Sequence, residues 1–234
     1  TMAVGIAFHV GLICVATLVS LVIYANRFFF YLIWSLIAAH SNRHLSDVKR
    51  RIVTEGVNGV VVEIGPGFGA NLAYYNPRHI KHLYLFEPNP HMLAKLQHAV
   101  EEAGLARKAT IVNAGAEELA IRDDIVADAV ISTCVLCTVP HVRAAVRAIY
   151  DRLRPGGQLR ILEHCAGKEF SFTALLQRLL HVPWKVVGDG CVLNREIAGL
   201  AGSAAPWTKV QLKHFDIDGP LSFLLPHVKG VLTK

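Results

Sequence analysis

Charge is missing from the start of this chain: residues 2–25, MAVGIAFHVGLICVATLVSLVIYA, contain no Asp, Glu, Lys or Arg. A helix needs about 20 such residues to cross a hydrocarbon core. A basic stretch before the apolar run is missing too, and the run outlasts the apolar core of a secretory signal, which favours a retained anchor over a cleaved leader. Cysteine is scarce: Cys14, Cys134, Cys137, Cys165 and Cys191 are odd in number and scattered. That excludes a disulfide framework and suits a reducing compartment. Cys134-x-x-Cys137 has no second pair to complete a four-ligand zinc site, so small cysteines buried at a strand end are the better reading. None of the 12 histidines stands in a His/Cys/Asp cluster with ligand spacing along the chain, and no metal is expected. The net charge of +6 comes without aromatics interleaved among the basic residues of 41–51, so no nucleic acid partner is expected either. Internal repeats and low-complexity linkers are absent, which leaves one domain of ordinary size plus an appendage.

What is present begins with that appendage. Arg27 interrupts the apolar run, and FFFYLIWSLIAA resumes it to Ala39. Residues 2–39 as one helix would measure about 57 Å, against a core of about 30 Å. One span plus an interfacial segment, a hairpin, and an in-plane insertion all remain open. The expected division is an anchor at 1–40, a basic helix at 41–55 and a folded domain at 56–234. Arg43, Lys49, Arg50 and Arg51 favour a cytosolic flank, each drawn to anionic headgroups by about 1 kcal/mol. The helix SNRHLSDVKRRIVTEGV is expected to start near Ser46 or Asp47.

Residues 61–71, VVEIGPGFGAN, are the most informative stretch. An apolar strand ends in an acid, and Gly65, Gly67 and Gly69 follow, so a turn without Cβ atoms leads into a helix and lets a ligand approach the backbone. The next apolar run, HLYLFEP, ends at Glu87, where a carboxylate can accept both hydroxyls of an adenosine ribose. Gly65-x-Gly67-x-x-Ala70 also satisfies the dinucleotide pattern, which keeps NAD open. Two features oppose it. Glu63 gives the tighter form E-x-G-x-G-x-G, and no tyrosine has a lysine four residues later, the pair that short-chain dehydrogenases use. From about residue 55 onward the chain resembles class I methyltransferases that use S-adenosylmethionine.

Strands alternate with helices: VVVEI, HLYLFEP, ATIVNA, DAVISTCV and QLRILEH, with helices over HMLAKLQHAVEEAG and VRAAVRAIYDRL. This predicts an α/β Rossmann-like fold with a mostly parallel sheet. KVQLKHFDI and HVKGVLTK close the chain without a long helix between them and suit a terminal antiparallel hairpin, making a seven-stranded sheet. Ligands of such sheets bind beyond the carboxyl ends of the strands. That rule selects Glu63, Gly65, Gly67 and Gly69; then Glu87, Pro88 and Asn89; then Ala116 and Glu117; then Thr133, Cys134 and Val135; and last Glu163 and His164. In the resemblance, Glu63 and its turn hold the methionine end, Ala116 and Glu117 enclose the adenine, and Thr133 and Val135 lie beneath the methyl group.

VLCTVP, LRPGGQLRILEH, PWKVVGDGCVLNRE and LLPHVKG carry a narrower resemblance. It is to the small membrane-associated thiol S-methyltransferases of the methyltransferase-like family, over nearly the whole chain. The resemblance implies methyl transfer from S-adenosylmethionine to an alkyl thiol or hydrogen sulfide. It also implies residence on endoplasmic reticulum and lipid droplets, with membrane contact through residues 2–39. Because the cofactor is made in the cytosol, the domain should face it. Pro66 and Phe68 stand where the family is expected to carry Cys and Thr, and Glu87 replaces Asp. Chemistry agrees, because a thiol ionises near pH 8.5, roughly, and needs little help from a base. Thiolate and sulfonium neutralise each other on the way to the transition state, which an apolar, dry pocket favours. His164 is the candidate base and Asp189 the candidate for orienting the acceptor. Phe172, Leu175, Leu176, Leu179 and Leu180 share a helical face that reads equally as a lid, a core-packing face or a membrane contact. Methylation of a lipid or quinone, and a non-catalytic recruiter on the droplet surface, are the alternatives.

Overall fold

A computed structural model describes residues 2–217 and 222–234, with side chains described from residue 22 onward apart from residue 40. Its first element, α1 (Met2–Thr54), runs unbroken through the segments expected as anchor and basic helix. There follow β1 (Gly59–Ile64), β2 (Ile80–Phe86), α2 (Leu93–Glu102), β3 (Ala109–Val112), β4 (Ala127–Thr133), α3 (Val142–Arg152) and β5 (Leu153–His164). The chain ends with α4 (Phe172–Val187), α5 (Ile197–Gly202), β6 (Lys209–Phe215) and β7 (His227–Thr233). All seven strands form one sheet in the order β3-β2-β1-β4-β5-β7-β6. Strands β1 to β5 are parallel, and β7 runs antiparallel to both β5 and β6. This is the expected seven-stranded sheet with its closing hairpin.

The central strands are apolar on both faces because helices cover both. On one face α1 and α2 set Leu45, Ile52, Val53 and Leu96 against Val61, Leu83 and Leu85. On the other, α3 and α5 set Val146, Ile149 and Ile197 against Val130, Leu159 and Ile161. The C-terminal third of α1 is therefore core material. It has no start at Ser46 or Asp47, and the Ser46 hydroxyl donates back to the Arg43 carbonyl at 3.0 Å. Lys49 is buried, its Nζ 2.6 Å from Asn42 Oδ1, so it is no headgroup contact.

Two more local expectations are corrected. The helix after the glycine turn is a single 3-10 turn, Leu72–Tyr74. Asn76-Pro77 follows too closely for an α-helix to develop, because the residue before proline is pushed out of the helical region. Strand β5 begins at Leu153 rather than at Gln158, because Leu153 already pairs with Ala127 and an irregularity absorbs the residues between. Helix α4 starts at Phe172, where Ser171 caps it by accepting from the Ala174 N–H at 3.1 Å.

Candidate active site

The glycine elbow after β1 holds three left-handed residues, with φ of 57° at Gly65, 58° at Gly67 and 80° at Gly69. A Cβ on Gly65 would lie 2.5 Å from Val135 Cγ2, and one on Gly69 would lie 2.7 Å from Leu72 Cδ1. The outer two glycines thus allow close packing. A Cβ on Gly67 would meet nothing closer than Trp34 Nε1 at 3.6 Å, so the middle of the turn is where a ligand can approach.

Glu87 points at this turn. Its Oε2 accepts the Gly67 N–H and its Oε1 the Asn89 N–H, each at 2.8 Å. Burial raises its pKa, against which the two N–H groups work. Each oxygen keeps a further lone pair for a ribose hydroxyl. Pro88 and Asn89 flank it, and both touch α1: Arg27 Nη1 donates to the Pro88 carbonyl at 2.7 Å, and Asn89 Nδ2 donates to the Arg27 carbonyl at 3.0 Å.

Glu63 is buried behind the elbow. Its two oxygens accept from Asn71 Nδ2 at 2.8 Å and Tyr75 OH at 2.7 Å, so it acts by holding Asn71. Asn71 also donates to Thr133 Oγ1 at 2.9 Å, while its own Oδ1 is buried with no partner among the described residues. Beyond β3, Ala116 is buried and Glu117 Oε1 is a second buried acceptor with no partner among the described residues. Along the carboxyl edge of β3, β2, β1 and β4 the molecule therefore offers Glu117, Glu87, a glycine cradle and Asn71. An adenine amine, ribose hydroxyls and an amino-acid ammonium supply donors in that order. These residues fit an adenosyl amino acid, and Asn71 is the member that sequence reading missed.

The far end lies beyond β4 and β5. Glu163 is buried, accepting from Ser132 Oγ at 2.6 Å and from the Val135 N–H, and burial pushes its pKa up to about 7. His164 does not stand free. Its Nε2 lies 3.0 Å from Cys191 Sγ, and its Nδ1 is buried without a partner among the described residues. Trp184 Nε1 donates to the same sulfur at 3.2 Å. Hydrogen bonding from Cys137, then from His164 and Trp184, lowers the pKa of the Cys191 thiol, and the same bond raises that of Cys137. Burial works to lower the His164 pKa, yet the neighbouring Cys191 sulfur outweighs it and raises it. Asp189, with φ of 51°, accepts from Asn26 Nδ2 at 3.3 Å; burial raises its pKa, and it lies close enough to raise that of Glu87.

Sequence reading also missed Asn26, Arg27 and Trp34, which lie inside an apolar run and read as anchor. It missed the grouping of Cys137, His164 and Cys191 as well, since no linear spacing announces a cluster drawn from three segments.

The fold and this edge define a class I methyltransferase that uses S-adenosylmethionine. Residues 62–161 match the methyltransferase domain family. The NodS N-methyltransferase of Bradyrhizobium japonicum, solved with S-adenosyl-L-homocysteine, shares the fold at a TM-score of 0.56 and 16% identity, over 83% of this chain and 86% of its own. The human thiol S-methyltransferase TMT1B is 31% identical over 215 residues, 88% of this chain and 86% of its own length. Human TMT1A is also 31% identical, over 82% of this chain and 81% of its own. The chain belongs to this thiol S-methyltransferase family.

Proposed function

We propose that this protein methylates a small apolar thiol, or hydrogen sulfide, while attached to a membrane. The observation that carries the reading is that Glu163, His164 and Asp189, the candidates for acid–base work at the acceptor end, each already bond within the protein. Glu163 is held by Ser132 and Val135, His164 by Cys191, and Asp189 by Asn26. An acceptor that ionises by itself suits such a site, and the relatives named for thiol methylation support the same choice. The bound cofactor supplies an electrophilic methyl group on a sulfonium.

The chain's residues bind and align. Glu87 takes the ribose hydroxyls, Pro88 and Asn89 shape its flank, and Ala116 and Glu117 enclose the adenine. Asn71, oriented by Glu63, takes the ammonium end, with Gly65, Gly67 and Gly69 leaving room for the backbone contact. Thr133 and Val135 floor the site beneath the methyl group. His164 and Asp189 position the acceptor sulfur at roughly 3 Å, in line with the bond that breaks.

Two apolar faces support membrane attachment. On α1, Arg27 and Ser35 bond to the catalytic domain while Val22, Ile23, Phe29, Leu32 and Leu36 are exposed. A segment bonded to the domain on one side is not surrounded by lipid, so 22–39 lies in the interface. Residues 2–21 then match the ~20-residue length of a span. The α4 face carries Phe172, Leu175, Leu179, Val182 and Val186, all more than half exposed. Of the three readings of that face, bilayer contact is the one that exposure favours. The domain faces the cytosol, where the cofactor is made, on endoplasmic reticulum or lipid droplets.

The same apolar face favours a lipid or quinone acceptor as the second reading. Full-length protein in lipid nanodiscs, given labelled cofactor with an aliphatic thiol or a quinol, separates the two. We expect label on sulfur; label on the quinol alone would replace this reading with the second.

A further inference from the structure

Cys137, His164 and Cys191 are all buried, and their ligand atoms lie within 4.8 Å of one another. Three segments deliver them: the turn after β4, the last residue of β5 and the turn after α4. Each is fixed by backbone. The Val192 N–H donates to the Cys137 carbonyl at 3.0 Å, and the Cys191 N–H donates to the Gly188 carbonyl at 3.0 Å. Between them Asp189 and Gly190 are left-handed, with φ of 51° and 88°, which turns Cys191 back toward the sheet. A turn strained at a non-glycine residue in order to bury a thiol marks a built feature more than a packing accident.

We propose that these three side chains form a site for a thiophilic divalent cation of the zinc class. Two thiolates and an imidazole are the donor set such ions select, and other divalent ions of biology prefer oxygen. With bonds of about 2.3 Å to sulfur and 2.0–2.1 Å to nitrogen, a tetrahedral ion needs its ligands roughly 3.5–3.8 Å apart. The His164–Cys191 separation of 3.0 Å and the 4.8 Å envelope bracket that range, so side-chain rotation suffices. The Trp184 N–H, 3.2 Å from Cys191 Sγ, supplies the outer hydrogen bond that a coordinated thiolate attracts. Arg195, tied to the carbonyls of Leu136 and Val139, stands nearby as a fixed positive charge. Three protein ligands leave the fourth position open, as in sites that bind a reactant. At this edge of the sheet the ligand that fits it is the acceptor's own sulfur, which on binding gives up its proton to solvent and stays a thiolate. That last step rests on the thiol reading above, whereas the cation site does not.

Full-length protein in nanodiscs is stripped with a chelator and titrated with Co²⁺, following sulfur-to-cobalt charge-transfer absorption, and with Zn²⁺ in competition. We expect about one ion per chain, and loss of the absorption in Cys137→Ser and Cys191→Ser. Trp184→Phe, as a change to a positioning residue, should weaken binding by about 10- to 100-fold without abolishing it. Adding an aliphatic thiol should shift the wild-type spectrum. Absence of stoichiometric Co²⁺ or Zn²⁺ on the wild-type protein overturns the site, whatever the variants do, and thiol methylation without metal would then leave the proposed function standing. Binding of the metal with neither a thiol-induced shift nor thiol methylation would keep the site and reject the thiol reading.

Discussion

At the scale of single residues, Glu63 carries the clearest electrostatic consequence. Burial raises its pKa, opposed by the hydrogen bonds from Tyr75 and Asn71 and by the Lys49 charge. A carboxyl whose folded pKa exceeds its unfolded value favours the folded state at low pH. That contribution fades as pH rises from the unfolded value near 4.5 through the folded one. Comparing wild type with Glu63→Gln, which does not titrate, isolates this group. The melting temperature of wild type relative to the variant should fall as pH is raised through that window and then level off. A gap that widens in favour of wild type with rising pH would contradict the assignment. Glu63, the three glycines and Glu87 were legible because a strand, a turn and an acid in sequence define the same edge in space. Asn71 was not: its part comes from the Glu63 and Thr133 contacts, which no spacing encodes.

At the scale of elements, α1 and α4 depart most from sequence expectation. Hydropathy reads α1 as anchor up to Ala39, because Asn26, Arg27 and Trp34 are too few to break an apolar average. Yet these residues meet the glycine elbow, the loop after β2 and Asp189, so the helix that carries the apolar run also walls the candidate site. For α4 the apolar stripe was visible and its partner was not, since a core helix and an interfacial helix share one pattern. A core face would be covered and this one is open, in keeping with the bilayer contact proposed for it. Replacing Leu175 and Leu179 with Ser should leave the melting temperature of detergent-solubilised protein nearly unchanged, within about 0.5 kcal/mol of stability per site. The same change should reduce recovery with anionic liposomes in flotation. A large loss of stability with unchanged flotation would return α4 to the core.

At the scale of the whole molecule, the part of α1 that packs into the core begins earlier than composition suggests. Leu45, Ile52 and Val53 belong to the core beneath β1 and β2. Burial of three such side chains contributes about 5–9 kcal/mol in all, a large part of the roughly 5–15 kcal/mol that stabilises a typical domain. Removing residues 1–21 should therefore leave a cooperative thermal transition, whereas removing 1–55 should abolish it. Equal melting curves for the two truncations would contradict the packing described. The sheet order itself was foreseeable, because alternating strands and helices admit few topologies. The path of α1 across the sheet was not, as it depends on contacts more than 60 residues apart. All of this architecture serves one claim: the elbow and the acid ending β2 hold one adenosyl group together. Titration calorimetry with S-adenosylhomocysteine on wild type and Glu87→Ala tests it most directly. Removing hydrogen bonds to a charged group worth about 1.5–3 kcal/mol should weaken binding by roughly 10- to 150-fold in a variant that still melts cooperatively. Unchanged affinity in that folded variant would contradict the account.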